Sequence, residues 1–176
     1  MKFRLGSGLH FLLMLGMVAY ATTGLARQSA QLPDPIIGKW RLNVDKSTNP
    51  PHASELMTIE PQGNIFKIVV DAENINGYKP RFSILTEMKG ESVKPILTDG
   101  KQTAETWRVT RSGLRKFDME LSTEFGGWTD KYEVSSDGKT LTGRRIQSTS
   151  GVIGGMIDRN GVVHSIQTIA VFDRVQ

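Results

Sequence analysis

The chain has 176 residues, 38% of them hydrophobic, with 22 basic against 18 acidic residues and no cysteine. That length supports one core of ordinary size and argues against a second full domain. The absence of cysteine excludes disulfides, a lipid-modified cysteine and any thiolate nucleophile or metal site.

Residues 1–26 place Lys2 and Arg4 ahead of an apolar run from Phe11 to Ala21, then small and polar residues ending Gly24-Leu25-Ala26. This is the pattern of a secretory signal, with cleavage after Ala26 preferred and after Ala21 the alternative. The run falls short of the roughly 20 residues a spanning helix needs, so stable membrane insertion is not expected. Export to the periplasm or medium is expected instead. Lys2 and Arg4 would leave with the leader, taking the balance to 20 basic against 18 acidic, or +2. Lysines and arginines are scattered at alternating positions with no basic run interleaved with aromatics, which excludes a nucleic-acid partner.

Residues 27–35 are polar and proline-containing and are expected to form a flexible arm, with the folded domain spanning 36–176. Ile37 to Asn43 alternates with Trp40 and Leu42 on one side, as a first strand does. Asp45 to Pro51 ends in Asn49-Pro50-Pro51, a connection that neither helix nor ladder tolerates. Glu55–Glu60 and Ile65–Asn74 form the next hairpin, and a fold at Gln62-Gly63 sets Ile59 opposite Phe66 and Met57 opposite Ile68. Beyond Asn76-Gly77 a bulge would place Val70 opposite Ile84 and Ala72 opposite Phe82. A short strand is expected near Val93 to Leu97.

Residues 104–148 read as a meander. An odd-length loop at Ser112-Gly113 aligns Val109 with Phe117 and Trp107 with Met119. Folds at Gly126-Gly127 and Asp137-Gly138 set Leu121 opposite Tyr132, Tyr132 opposite Gly143 and Asp130 opposite Arg145, all on the apolar face. Met119, Val134 and Leu141 form the adjoining row. Ser148 to Met156 is Gly-rich, and a final strand is expected over Val162 to Arg174. About 8–10 strands, with turn signals every 10 to 15 residues or so, define an all-β, antiparallel up-and-down barrel, with an open sandwich as the alternative.

Gly38-Lys39-Trp40-Arg41-Leu42-Asn43, continuing to Asp45-Lys46-Ser47, resembles the G-x-W-x-L-N-x-x-K-S opening of small exported bacterial proteins of lipocalin-like type. The Ser136 to Thr140 turn and the closing Ala170 to Arg174 are similar to that group as well. The resemblance implies a calycin-type barrel in which Trp40 plugs the closed end under Arg174, with Arg145 as the other candidate cover. It also implies an apolar ligand, and no established activity.

From the rows of the meander, the residues expected to line a ligand cavity are Phe82, Glu105, Trp107, Met119, Leu121, Asp130, Tyr132, Gly143 and Arg145. Gly143 would open room beside Tyr132, whose hydroxyl would find Asp130. Glu105 would lie inward, opposite Leu121, where burial raises a carboxyl pKa. Such a cavity favours a small apolar or amphipathic ligand over catalysis. A periplasmic enzyme or isomerase would use Glu105, Tyr132, Asp130 and Arg145. A third reading is an envelope interaction protein whose barrel is filled by its own side chains. His52, beside prolines, and His164, on the last strand in phase with Ala170 and Phe172, have no companions at metal-ligand spacing. No nucleophile elbow or phosphate loop occurs, so neither metal nor cofactor is expected. No motif encodes ligand identity or oligomeric state.

Overall fold

The computed structural model describes residues 34–124, 126–147, 155–157, 163–165 and 167–176. The expected leader and most of the expected arm lie outside them. Among the described residues, apart from a short 3-10 turn at Val44–Lys46, all regular structure is strand. The strands are β1 (Gly38–Leu42), β2 (Ser54–Gln62), β3 (Ile65–Glu73), β4 (Arg81–Thr86), β5 (Lys89–Val93), β6 (Ile96–Leu97), β7 (Thr106–Gly113), β8 (Lys116–Thr123), β9 (Gly126–Val134), β10 (Thr140–Gln147), β11 (Gly155–Ile157), β12 (Val163–Ser165) and β13 (Thr168–Val175). Among the described residues no helix is long and apolar enough to cross a membrane.

Eleven strands form one antiparallel sheet in the order β5-β7-β8-β9-β10-β13-β1-β2-β3-β4-β6. Neighbours in the chain are mostly neighbours in the sheet, as in an up-and-down barrel, and β1 closes the run by lying between β13 and β2. The sheet's two ends, β5 and β6, are joined in the chain by only two residues, so it curls on itself. At the corner between β4 and β5, Met88 adopts φ 58° and buries its side chain. The Glu91 carboxylate holds that corner, accepting from Thr86 Oγ1 and the backbone N–H of Glu87 and Lys89. Across the seam, the rings of Phe82 on β4 and Trp107 on β7 meet at 5.6 Å.

The β9–β10 register is as the sequence indicates, with Leu141 opposite Val134, Gly143 opposite Tyr132 and Arg145 opposite Asp130. Four other registers differ from expectation, each by an even number. Ile59 faces Ile68 and Met57 faces Val70, since the turn falls at Gly63 (φ 62°) and the next residue. Ile84 faces Ile68 and Phe82 faces Val70. Val109 faces Met119 and Trp107 faces Leu121, with the expected irregularity between Arg111 and Gly113. Between β8 and β9 the shift is four: Leu121 faces Trp128, Met119 faces Asp130 and Phe117 faces Tyr132.

That largest shift has a steric reason. Gly126 and Gly127 do not make the turn; they lie in β9, where a Cβ on Gly127 would come within 2.0 Å of the Leu121 carbonyl oxygen. The pair permits close approach of two strands, and the hairpin closes two residues earlier, with Thr123 opposite Gly126. Because side chains alternate with period two, even slips leave every face where it was.

Among the described residues the strands outnumber the eight to ten expected, because two of the expected strands are divided and β11 is added. The Val93–Leu97 strand is instead two pieces at opposite ends of the sheet, interrupted at Pro95, which cannot donate to a ladder. The single terminal strand is instead β12 and β13, with β12 paired to β11 in a separate two-stranded unit. His164 lies on β12, opposite Met156, and not in the barrel wall.

Candidate binding cavity

The end of the barrel where β1 begins is packed solid. Trp40, fully buried, donates from its indole nitrogen to the Ile36 carbonyl (3.0 Å). The Arg174 guanidinium lies over the Trp40 ring at 4.2 Å and donates to the carbonyls of Gly138 (2.6 Å), Ile37 (3.0 Å) and Pro35 (2.5 Å). Gly38 is required beneath it: φ is 147°, and a Cβ there would sit 2.9 Å from an Arg174 nitrogen. Ile59, Ile68, Ile84, Val109, Phe117, Val134 and Leu141 fill the same half, each with almost no exposure. Asp34 accepts from Arg111 (2.8 Å), so the end of the expected arm is bound to the barrel.

Toward the other end the interior is hollow. A cavity of about 340 Å³ is bounded by Met57, Val70, Phe82, Trp107, Met119, Leu121, Trp128, Tyr132, Ala170 and Phe172, with Pro51, His52, Glu55, Asn74, Pro80, Glu105, Asp130, Gly143, Arg145 and Thr168 completing the wall. The boundary between the two halves is Tyr132, whose ring stacks on Phe117 at 4.8 Å. This volume lies within the range of roughly 300–1,000 Å³ typical of small-molecule pockets, which are likewise mostly apolar with a few placed polar groups.

The polar groups of the wall form one ion pair and one histidine–carboxylate contact. Arg145 donates through Nε and Nη2 to the two oxygens of Asp130, both at 2.8 Å, and its guanidinium lies 4.5 Å over the Trp128 ring. Burial lowers the Arg145 pKa, but the hydrogen bond and charge of Asp130 outweigh it and hold the guanidinium above its ordinary value. His52 Nδ1 lies 2.7 Å from the buried Glu55 carboxylate. Three further buried polar atoms, the indole N–H groups of Trp107 and Trp128 and the side-chain oxygen of Asn74, have no hydrogen-bond partner among the described residues.

Tyr132 is a buried titratable group between carboxylates. Burial, reinforced by the Asp130 and Glu55 carboxylates, pushes its phenol well above the ordinary value. Tyrosine ionises near pH 10 in the unfolded chain, so the protonated phenol stabilises the folded state fully below that pH. The contribution is lost as pH rises past it toward the folded value. We expect urea-unfolding stability of the native sequence to fall above about pH 10 more steeply than that of Tyr132→Phe. Parallel curves for the two proteins would contradict a buried phenol.

No protein-family model and no curated protein matches the sequence. Among solved structures, the chain is similar to the Schistosoma mansoni fatty acid binding protein in complex with arachidonic acid, with TM-score 0.52 and 12% identity over 81% of this chain and 97% of that one. It is also similar to the fluorescent protein UnaG, with TM-score 0.52 and 10% identity over 80% of this chain and 97% of that one. The fold is a lipocalin-like β-barrel. At these identities the likeness is one of architecture.

The barrel brings all nine expected lining residues to one cavity wall. Three sit differently from expectation. Glu105 precedes β7 and is exposed, a rim residue and not a buried acid opposite Leu121, a place that Trp107 takes. Gly143 opens no room, because the Tyr132 ring covers it and a Cβ would meet Tyr132 Cε1 at 2.6 Å. A larger side chain there would displace the ring before filling the cavity. Asp130 is engaged by Arg145 through both carboxylate oxygens, not by the Tyr132 hydroxyl. Sequence reasoning missed His52, Glu55, Asn74, Trp128 and Thr168. For Glu55 the signal was present, since it shares alternating positions with Met57 and Ile59 at the start of β2.

Proposed function

We propose that this protein is a small exported lipocalin-like protein that binds a small hydrophobic or amphipathic ligand in the hollow half of its barrel. The division of the interior carries this reading. A barrel serving only as a scaffold would be packed to native density throughout, whereas this one is packed at the Trp40 end and open around Trp107, Trp128 and Tyr132. The likeness to a barrel named for fatty acid binding supports it. The G-x-W-x-L-N opening and the leader-like residues 1–26 support the family and export. An intact mass of the exported protein corresponding to a start at Arg27 is expected; the mass of all 176 residues would contradict cleavage.

The test is titration with N-phenyl-1-naphthylamine, an uncharged apolar probe whose emission rises on leaving water. Saturable one-site binding in the micromolar range, worth about 8 kcal/mol, is expected. Thr168, half-buried at the open end and opposite Arg145, gives the control. Thr168→Phe places bulk in the hollow without entering the packed half, and should weaken the probe at least about tenfold, or about 1.4 kcal/mol. No saturation below about millimolar would remove the binding role.

A further inference from the structure

The charge of the same cavity narrows its ligand, an inference that rests on the binding reading. Among the described lining residues three carboxylates, Glu55, Glu105 and Asp130, stand against at most two cations, Arg145 and His52, so the wall is negative even when the histidine is protonated. Arg145 and Asp130 account for each other, since two guanidinium nitrogens hold both carboxylate oxygens. Glu105 is exposed at the rim, where water screens its charge. Glu55 carries the surplus that matters. The residue is 7% exposed, and its contact with His52 engages one oxygen only, Oε2 at 2.7 Å. Burying a carboxylate is costly unless it is paired, and Glu55 Oε1 has no partner among the described residues.

Tyr132 supplies a second open group. The residue is 8% exposed, yet its hydroxyl has no hydrogen-bond partner among the described residues and is not sealed off as the indole nitrogens of Trp107 and Trp128 are. The ring reaches across to β10, where a Cβ on Gly143 would meet Cε1 at 2.6 Å and Cζ, the carbon that bears the hydroxyl, at 3.3 Å. Beyond Gly143 the row continues to Ala170 on β13, so small residues floor this part of the hollow. The charges of Asp130 and Glu55 both act on the phenol, and that of Glu55 also acts on Arg145, which sets the four groups around one space. A ligand carboxylate placed there would compete with Asp130 for one guanidinium and would face Glu55, and like charges in a low-dielectric site repel strongly. An ammonium brings what is missing. It carries a positive charge and three N–H donors, and both Glu55 Oε1 and the phenol oxygen can accept.

We propose that the hollow half of the barrel selects a small amphipathic amine over the carboxylate and the alcohol of the same chain length. The ammonium donates to Glu55 Oε1 and to the Tyr132 hydroxyl oxygen, matching the one buried carboxylate that no guanidinium holds, while the alkyl or ring body lies among Met57, Val70, Met119 and Leu121.

Competition against bound N-phenyl-1-naphthylamine by decylamine, decanoate and decanol at neutral pH tests this. Decylamine should displace the probe at a concentration lower than either analogue by about tenfold or more, or about 1.4 kcal/mol. Glu55→Gln removes the charge at nearly constant shape and should bring the amine-to-alcohol affinity ratio toward one, a readout that loss of packing alone does not move. Tyr132→Phe should lower the ratio by less, because the carboxylate remains. Glu73→Gln makes the same change of charge outside the cavity, on a side chain 41% exposed beside Lys79, and should leave the ratio as it is. An equal fall in Glu55→Gln and Glu73→Gln would mean that net charge alone draws the amine, and an unchanged ratio in Glu55→Gln would mean that this carboxylate does not hold it; either overturns the proposal. Decanoate binding tightest would overturn it in favour of Arg145, and decanol binding as tightly as decylamine would show that charge does not select. If the naphthylamine binds and none of the three displaces it, this inference fails while the binding reading stands; if the naphthylamine does not bind, the binding reading itself fails.

Discussion

Arg145→Met is expected to cost about 3 kcal/mol of folding stability, toward the lower end of the range for breaking a buried ion pair. Asp130 is the reason. Its side chain is 10% exposed and both oxygens depend on Arg145, so removing the guanidinium leaves a carboxylate that water barely reaches. Methionine keeps an unbranched stem against Trp128, which limits the loss to charge and hydrogen bonds. Arg145 itself is 24% exposed, and some solvent relief through that opening is why the upper end of the range is not expected. Asp130→Leu combined with Arg145→Met should recover most of the loss, because an apolar pair of similar volume needs no partner. A double-mutant cycle by urea denaturation measures this. A single-mutant cost below about 1 kcal/mol would place the pair among exposed surface bridges and contradict its burial.

Trp40→Ala should cost about 4 kcal/mol. The side chain is fully buried and surrounded on every side, so its loss leaves a cavity that the barrel wall cannot collapse into. The Arg174 guanidinium also loses the ring beneath it, a stacking worth about 1–2 kcal/mol when desolvated. Trp107→Ala should cost about half as much as the Trp40 change, because that ring faces the hollow on one side and fewer contacts disappear. Equal costs at the two tryptophans, measured by the same denaturant titration, would argue against a barrel packed at one end and hollow at the other.

How far the sequence disclosed this arrangement depended on what each glycine was for. At Asp137-Gly138 the glycine (φ 70°) does serve the turn, and every pair of β9 and β10 followed correctly, including Tyr132 over Gly143 and Asp130 against Arg145. At Gly126-Gly127 the glycines serve a close strand approach, so the hairpin slipped by four residues and Trp128 was hidden beside a supposed turn. The slip did not disturb the lining, since an even shift preserves the inward face, and Trp107, Met119, Leu121 and Tyr132 all remained inside. Parity was legible; register was not. His52 and Asn74 escaped notice for different reasons. His52 belongs to a connection next to Pro51, where side chains carry no periodicity to show which way they face, whereas Asn74 ended the expected strand in phase with Val70 and Ala72 and was passed over as a polar residue leading into the Asn76-Gly77 turn. Glu105 was lost by the same logic in reverse, because alternation was extended one step past the point where β7 begins.

The chain contains three tryptophans, Trp40, Trp107 and Trp128, and their indole N–H resonances report on the two halves of the barrel separately. Nitrogen–proton correlation spectra recorded while N-phenyl-1-naphthylamine is added test the central claim most directly. The Trp107 and Trp128 indole signals should shift together and saturate, while that of Trp40, bonded to the Ile36 carbonyl in the packed half, stays in place. If all three indole signals remain fixed to the solubility limit of the probe, or if only Trp40 moves, the hollow half of the barrel is not a binding site.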